Sequence, residues 1–112
     1  MNKITVLGVR PGKEPKMVEL EDDLHAMQDF VGGNIEAVRP WGDDVVLICD
    51  EEAIIKGAEL NRIIKHESGG VFGVISGPFF LCLAPRNSEV FMSLPNMMAD
   101  RYKTLLAEVP HE

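Results

Sequence analysis

No stretch of this sequence approaches the roughly 20 consecutive apolar residues that a bilayer crossing needs, and its first residues lack the apolar core of a secretory leader. The expectation is a cytoplasmic protein with no membrane partner. Cysteine is scarce as well: Cys49 and Cys82 stand 33 positions apart, each inside an apolar run, VVLICD and FFLCLA. That spacing excludes a CxxC redox pair and a cysteine-rich metal site, and it predicts two buried free thiols. Positive charge is the third shortage. Eleven Lys and Arg against eighteen Asp and Glu give a net charge of −7, the wrong sign for gripping a phosphate backbone, so no nucleic-acid partner is expected.

What is present is a hydrophobic share of 46% beside 26% charge over 112 residues, enough for one small core and too apolar for a disordered chain. The acids are unevenly spread. Residues 19–59 hold twelve acids and two bases, Arg39 and Lys56, whereas residues 1–18 carry +3 and residues 60–112 balance.

The apolar pattern predicts a strand over Lys3–Val9, stopped by Pro11-Gly12, and a return strand over Lys16–Leu20. A helix follows, with Leu24, Met27, Phe30 and Val31 on its buried face, Asp22 and Asp23 at its start and Gly32-Gly33 at its end. Asn34–Val38 and Asp44–Cys49 flank the turn RPWG as a second strand pair. Asp50–Glu67 reads as a loop with a short helical turn, because Gly57 interrupts any long helix. Val71–Ser76 and Pro78–Ala84 read as a third strand pair around Ser76-Gly77. Ser93 is the expected cap of a final helix, with Pro95 in its first turn and Leu94, Met98, Tyr102, Leu105 and Val109 on one face. The expected fold is a single α+β domain over residues 1–109 with a tail at 110–112: a mixed, mainly antiparallel sheet of five to six strands packed against two helices.

Catalytic and metal signatures are missing. Gly8-Val9-Arg10-Pro11-Gly12-Lys13 has the glycines and base of a phosphate loop, but Glu14 follows where a P-loop needs Ser or Thr for magnesium. A solvated β-turn is the plainer reading, with Arg10 and Lys13 able to meet an anion by charge alone. His25, His66 and His111 have no mutual spacing that suits a metal, Ser68, Ser76, Ser88 and Ser93 sit in no GxSxG, and the paired acids suit turns and solvated edges. Trp41 reads as a lid on the core, with a stacking or interface anchor as the alternative. Asn61-Arg62 leaves two readings open: an ion pair of Arg62 with Glu51, Glu52 or Glu59, or a clamp in which Arg62 forks to an anion and Asn61 hydrogen-bonds a ring or amide.

The series PGKEP, LHAMQDFVGGNIEAV, LICDEE, KGAELNR, GVISGPFFLC and a final SLP helix resembles a family of small uncharacterised domains common in phages, plasmids and other bacterial mobile elements. The resemblance covers nearly the whole chain. It implies a mobile-element origin and a cytoplasmic setting, and it favours binding over catalysis. Gln28, Glu36, Asn61 and Arg62 match the polar pattern of that family.

The leading expectation is a non-catalytic binding protein that sequesters a small anionic ligand, of the nucleotide signalling type used in host defence against phage. Its candidate ligand-binding residues are Arg10, Lys13, Gln28, Glu36, Lys56, Asn61 and Arg62, with no cofactor and no metal. A domain this small rarely encloses a ligand alone, so a homo-oligomer with a shared pocket is expected. The alternative is an acidic inhibitor of a host protein, imitating nucleic acid through the acids of residues 19–59, among them Asp43, Asp44, Glu51 and Glu52. An enzyme with Glu36 as general base ranks third.

Overall fold

The computed structural model of the protein describes residues 2–87 and 90–110. Most of the expected tail, with His111, and Ser88 lie outside the described residues.

The chain enters as a hairpin, β1 (Lys3–Val9) against β2 (Lys16–Glu21), in antiparallel register with Gly8 opposite Lys16. Alternation along β1 sends Ile4 and Val6 to one face and Leu7 and Val9 to the other. Helix α1 (Leu24–Val31) follows, capped by Asp23, whose Oδ1 accepts a 2.7 Å hydrogen bond from the Ala26 N–H. It ends at Gly32, whose φ of +90° lets its N–H return to the Gln28 carbonyl at 2.8 Å. Met27, Phe30 and Val31 are buried as expected, but Leu24 is exposed at the start of the first turn.

β3 (Ile35–Val38) and β4 (Val45–Asp50) form the second expected hairpin. β5 (Leu60–Lys65) corrects the expected loop over Asp50–Glu67; turns are confined to residues 51–57 before the strand and to Glu67 after it. Its signal is hidden because the register with β6 (Val71–Ser76) shifts between Leu60 and Arg62. The shift buries the consecutive residues Asn61 and Arg62, which breaks the period of two that marks a strand.

The third expected strand pair is also corrected. β6 pairs with β5 in a separate two-stranded sheet, whereas β7 (Phe79–Leu83) lies between β1 and β4 in a five-stranded sheet of order β2-β1-β7-β4-β3. Gly77, at φ +76°, makes the break between the two sheets. The physical reason is burial on both faces: β4 is buried throughout, and in β7 only Leu83 is half-buried, as central strands covered from both sides require. All described pairings are antiparallel.

The final helix, α2 (Asn96–Leu105), is not capped by Ser93. The Ser93 Oγ instead accepts a 2.9 Å hydrogen bond from the Thr5 N–H, and the Leu94 N–H donates to the Thr5 carbonyl at 2.8 Å, so residues 93–94 run beside the first half of β1. The helix buries Ala99 and Tyr102 and leads into buried Leu106, while Leu105 and Val109 face outward.

These elements stack in three layers. α1 covers one face of the central sheet through a core of Ile4, Val6, Met27, Phe30, Ile48 and Phe80, and the β5–β6 hairpin with α2 covers the other through Leu7, Val9, Leu47, Ile64, Phe79 and Tyr102. The α+β class and the mainly antiparallel sheet are as expected from the sequence. Trp41 is the lid: it packs on Tyr102 with ring centroids 4.7 Å apart, and its Nε1 donates to the Lys65 carbonyl at 3.0 Å. Tyr102 in turn donates to Asp43 at 2.8 Å, so the RPWGDD turn is fastened to α2. Among the described residues, no helix is long and apolar enough to cross a membrane.

The fully buried Phe80 ring meets Phe30 edge-on, with centroids 5.6 Å apart, and so joins the central strand to α1. Phe80→Ala is expected to destabilise the fold by about 3–5 kcal/mol in denaturant titration.

Candidate functional site

The turn closing the β1–β2 hairpin is built from Arg10-Pro11-Gly12-Lys13, with the Lys13 N–H donating to the Arg10 carbonyl at 3.1 Å and Gly12 at φ +73°. Beneath it lies a cleft of about 310 Å³ lined by Gly8, Arg10, Lys13, Glu14, Lys16, Val18 and Phe30. The register explains the lining. Gly8, Arg10, Lys16 and Val18 belong to the face of the hairpin that meets α1, where Phe30 closes the inner end. Gly8 is needed because a Cβ at this position would stand 2.9 Å from the Phe30 ring. The Arg10 guanidinium carbon sits 4.5 Å from the centroid of that ring, a cation–π contact that anchors the arginine at the mouth of the cleft.

The structure brings two of the seven candidates together here, Arg10 and Lys13, and adds Lys16. Sequence reasoning missed Lys16, Val18 and Phe30 as lining residues. Period-two alternation puts Lys16 on the same face of β2 as Val18 and was the available signal; the approach of Phe30 comes from the packing of α1.

Asn61 and Arg62 are not at the surface. They are 0% and 1% exposed, and their hydrogen bonds run to the protein's own atoms. Asn61 Nδ2 donates to the carbonyls of Val9 at 2.9 Å and Gly77 at 2.8 Å. Arg62 Nε donates to the Leu106 carbonyl at 2.7 Å, Nη1 to both the main-chain and side-chain oxygens of Asn61 at 2.9 Å, and Nη2 to the Lys13 carbonyl. Burial lowers the Arg62 pKa from its usual value. Neither the ion pair nor the open clamp describes this arginine: among the described residues no carboxylate pairs with it, and carbonyl oxygens take its N–H groups.

Lys56 is also committed internally. Its Nζ donates to Asp50 Oδ2 at 2.9 Å and to the Gly32 carbonyl at 3.1 Å, closing the C-terminal end of α1 onto β4. The approach requires glycine at position 33, where a Cβ would lie 2.4 Å from Lys56 Nζ and 2.7 Å from Asp50 Oδ1. Gln28 lies nearby, its Nε2 3.4 Å from Asn34 Oδ1. Glu36 is exposed on β3, at a smaller cleft of about 120 Å³ that it shares with Cys49, Asp50, Glu51, Ile54 and Ile55.

The cysteines are free and buried, as expected. Burial, with the charges of Glu36 and Asp50, pushes the Cys49 thiol up to about 11, and burial pushes Cys82 up to about 12, so both are protonated and unreactive at neutral pH. Among the described residues, no three His, Cys, Asp or Glu side chains group as a metal site.

Asp50 and Lys56 make the stability depend on pH. Burial pushes the Asp50 carboxyl upward, but the hydrogen bonds from Lys56 and from the Glu52 N–H, with the Lys56 charge, outweigh it and leave its pKa below the ordinary 3.8. A depressed carboxyl stabilises the fold above its unfolded value, and the contribution is lost as pH falls through the folded value. Asp50→Asn is therefore expected to lower the urea midpoint at neutral pH, with the gap from the parent protein closing below pH about 4. A gap that stays constant down to the acid transition would contradict this assignment.

No curated protein sequence and no solved structure matches the chain. The family model of a domain of unknown function, DUF3846, matches residues 4–107, and the chain belongs to that family, in keeping with its resemblance to small uncharacterised domains.

Proposed function

We propose that the protein is a non-catalytic cytoplasmic binding protein that takes up a small anionic ligand of nucleotide type in the cleft beneath the Arg10–Lys13 turn. The observation that carries this reading is the convergence of Arg10, Lys13 and Lys16 on one cleft with an aromatic end, in a chain of net charge −7. Elsewhere Lys56 and Arg62 are bound to the protein itself. Arg10, Lys13 and Lys16 thus bring positive charge together at one cleft.

A cleft of about 310 Å³ is at the small end of ligand pockets, which run from about 300 Å³ upward, and suits a phosphate with a ring rather than a polymer. Lys13 and Lys16 meet the phosphate as point charges, and Arg10 adds a fork. Val18 and Phe30 give the ring an apolar wall, and Glu14 supplies an acceptor for a ring N–H or amino group. Nucleotide signals of host defence against phage fit this chemistry, and the mobile-element setting implied by the sequence resemblance favours them. Sequestration needs no cofactor, only an affinity high enough to lower the free ligand.

Isothermal calorimetry against cyclic and linear nucleotides, with inorganic phosphate and a nucleoside as partial probes, tests the reading. At least one nucleotide is expected to bind in the micromolar range, and Lys13→Ala and Lys16→Ala are each expected to weaken it by roughly tenfold. Failure of every nucleotide to bind at submillimolar concentration would overturn it.

A further inference from the structure

Among the described residues, β2, β3, β5 and β6 are the edge strands of the two sheets, and they are treated differently. β2 carries Lys16, Glu19 and Glu21, and β3 is only four residues long, contains Glu36 and runs into Arg39-Pro40. Charge, shortness and proline are the usual devices that stop an edge from recruiting another strand. β5 is met by Trp41 at the Lys65 carbonyl. β6 has none of these devices: Val71–Ser76 reads VFGVIS, six residues without a charge or a proline.

Among the described residues, the main-chain hydrogen bonds of β6 run to β5. Val71, Phe72 and Val74 are 61%, 40% and 47% exposed, and Ile63, opposite Val74, is 40% exposed. An isolated two-stranded sheet with an apolar outer face is marginal in water, and a further strand on its open edge relieves both defects.

We propose that β6 pairs with β6 of a second copy of this chain, antiparallel about a two-fold axis, so that two hairpins join into one four-stranded sheet. An antiparallel edge is self-complementary, which is what an isologous two-fold interface requires. Charge favours this edge and this direction. Each copy carries −7, so two copies repel except where an uncharged surface meets its like. Lys65 stands opposite Val71 at one end of β6, while residues 74–76 at the other end line a cleft with Glu36 and Glu51. Antiparallel pairing sets the Lys65 end of each copy against the acidic end of the other.

The inference rests on the β6 edge and not on the base-lined cleft, so each can fail without the other. Sedimentation velocity on the full chain is expected to give twice the chain mass at micromolar concentration. Val74→Lys puts a charge on the stripe and is expected to weaken the dimer by about tenfold or more while leaving the thermal midpoint of the monomer fold intact. Val71→Glu serves as a second variant should Val74→Lys not fold. Met97→Lys, at a position 90% exposed on α2, is expected to leave the dimer unchanged. Hydrogen exchange gives an independent reading: the outward amides of β6 slow as protein concentration rises. A parent protein at single-chain mass, a folded Val74→Lys variant that dimerises as before, or β6 exchange independent of concentration would each overturn the proposal.

Discussion

Arg62 is a cation sealed inside the protein and held by carbonyl oxygens. Removing a guanidinium from water costs several kcal/mol, and a buried charge with no partners would not survive in a domain of this size. Here the fork of N–H groups is spread over the Leu106, Asn61 and Lys13 oxygens, and Leu106 lies at the C-terminal end of α2, where the helix dipole favours a positive charge. Asn61 extends the same node to Val9 at the end of β1 and to Gly77 between β6 and β7. Two adjacent residues of β5 therefore fasten one layer of the fold, α2 with the β5–β6 hairpin, to the end of the central sheet.

The same node reaches the candidate binding cleft from below. The Lys13 carbonyl that accepts from Arg62 belongs to the turn that carries Arg10 and Lys13, and the Val9 carbonyl that accepts from Asn61 immediately precedes it. The turn is exposed to solvent on one side and tied to a buried arginine on the other. Bases on an untethered hairpin tip would lose more entropy in meeting an anion than bases on a held one. Arg62 thus holds this turn from within the fold.

Much of the fold was legible in the sequence, for physical reasons that can be named. The β1–β2 and β3–β4 hairpins follow from alternation and turn residues, and α1 follows from its acid start and Gly-Gly end. β5 was hidden because its register shift buries Asn61 and Arg62 side by side, and a polar pair carries no hydrophobic signal. In sequence β6 and β7 look like partners because a Gly beside two apolar runs resembles a hairpin turn; that the chain changes sheet at Gly77 depends on which strands need burial on both faces. In the candidate site, Arg10 and Lys13 were visible as bases flanking a turn. The internal roles of Lys56, Asn61 and Arg62 were not, because charge and amide content say nothing of burial, and an arginine satisfied by carbonyls leaves no paired acid in the sequence.

Native-state hydrogen exchange on Arg62→Lys tests the central role of this node most directly. A lysine keeps the charge but donates from one nitrogen, so it cannot span the oxygens of Leu106, Asn61 and Lys13 together. The predicted result is a joint loss of protection at the Lys13 and Leu106 amides and along β5, with α1 retaining its protection, and a fall in global stability on the order of 3 kcal/mol. Unchanged protection at the Lys13 turn and at the end of α2, with an unchanged denaturation midpoint, would contradict the account.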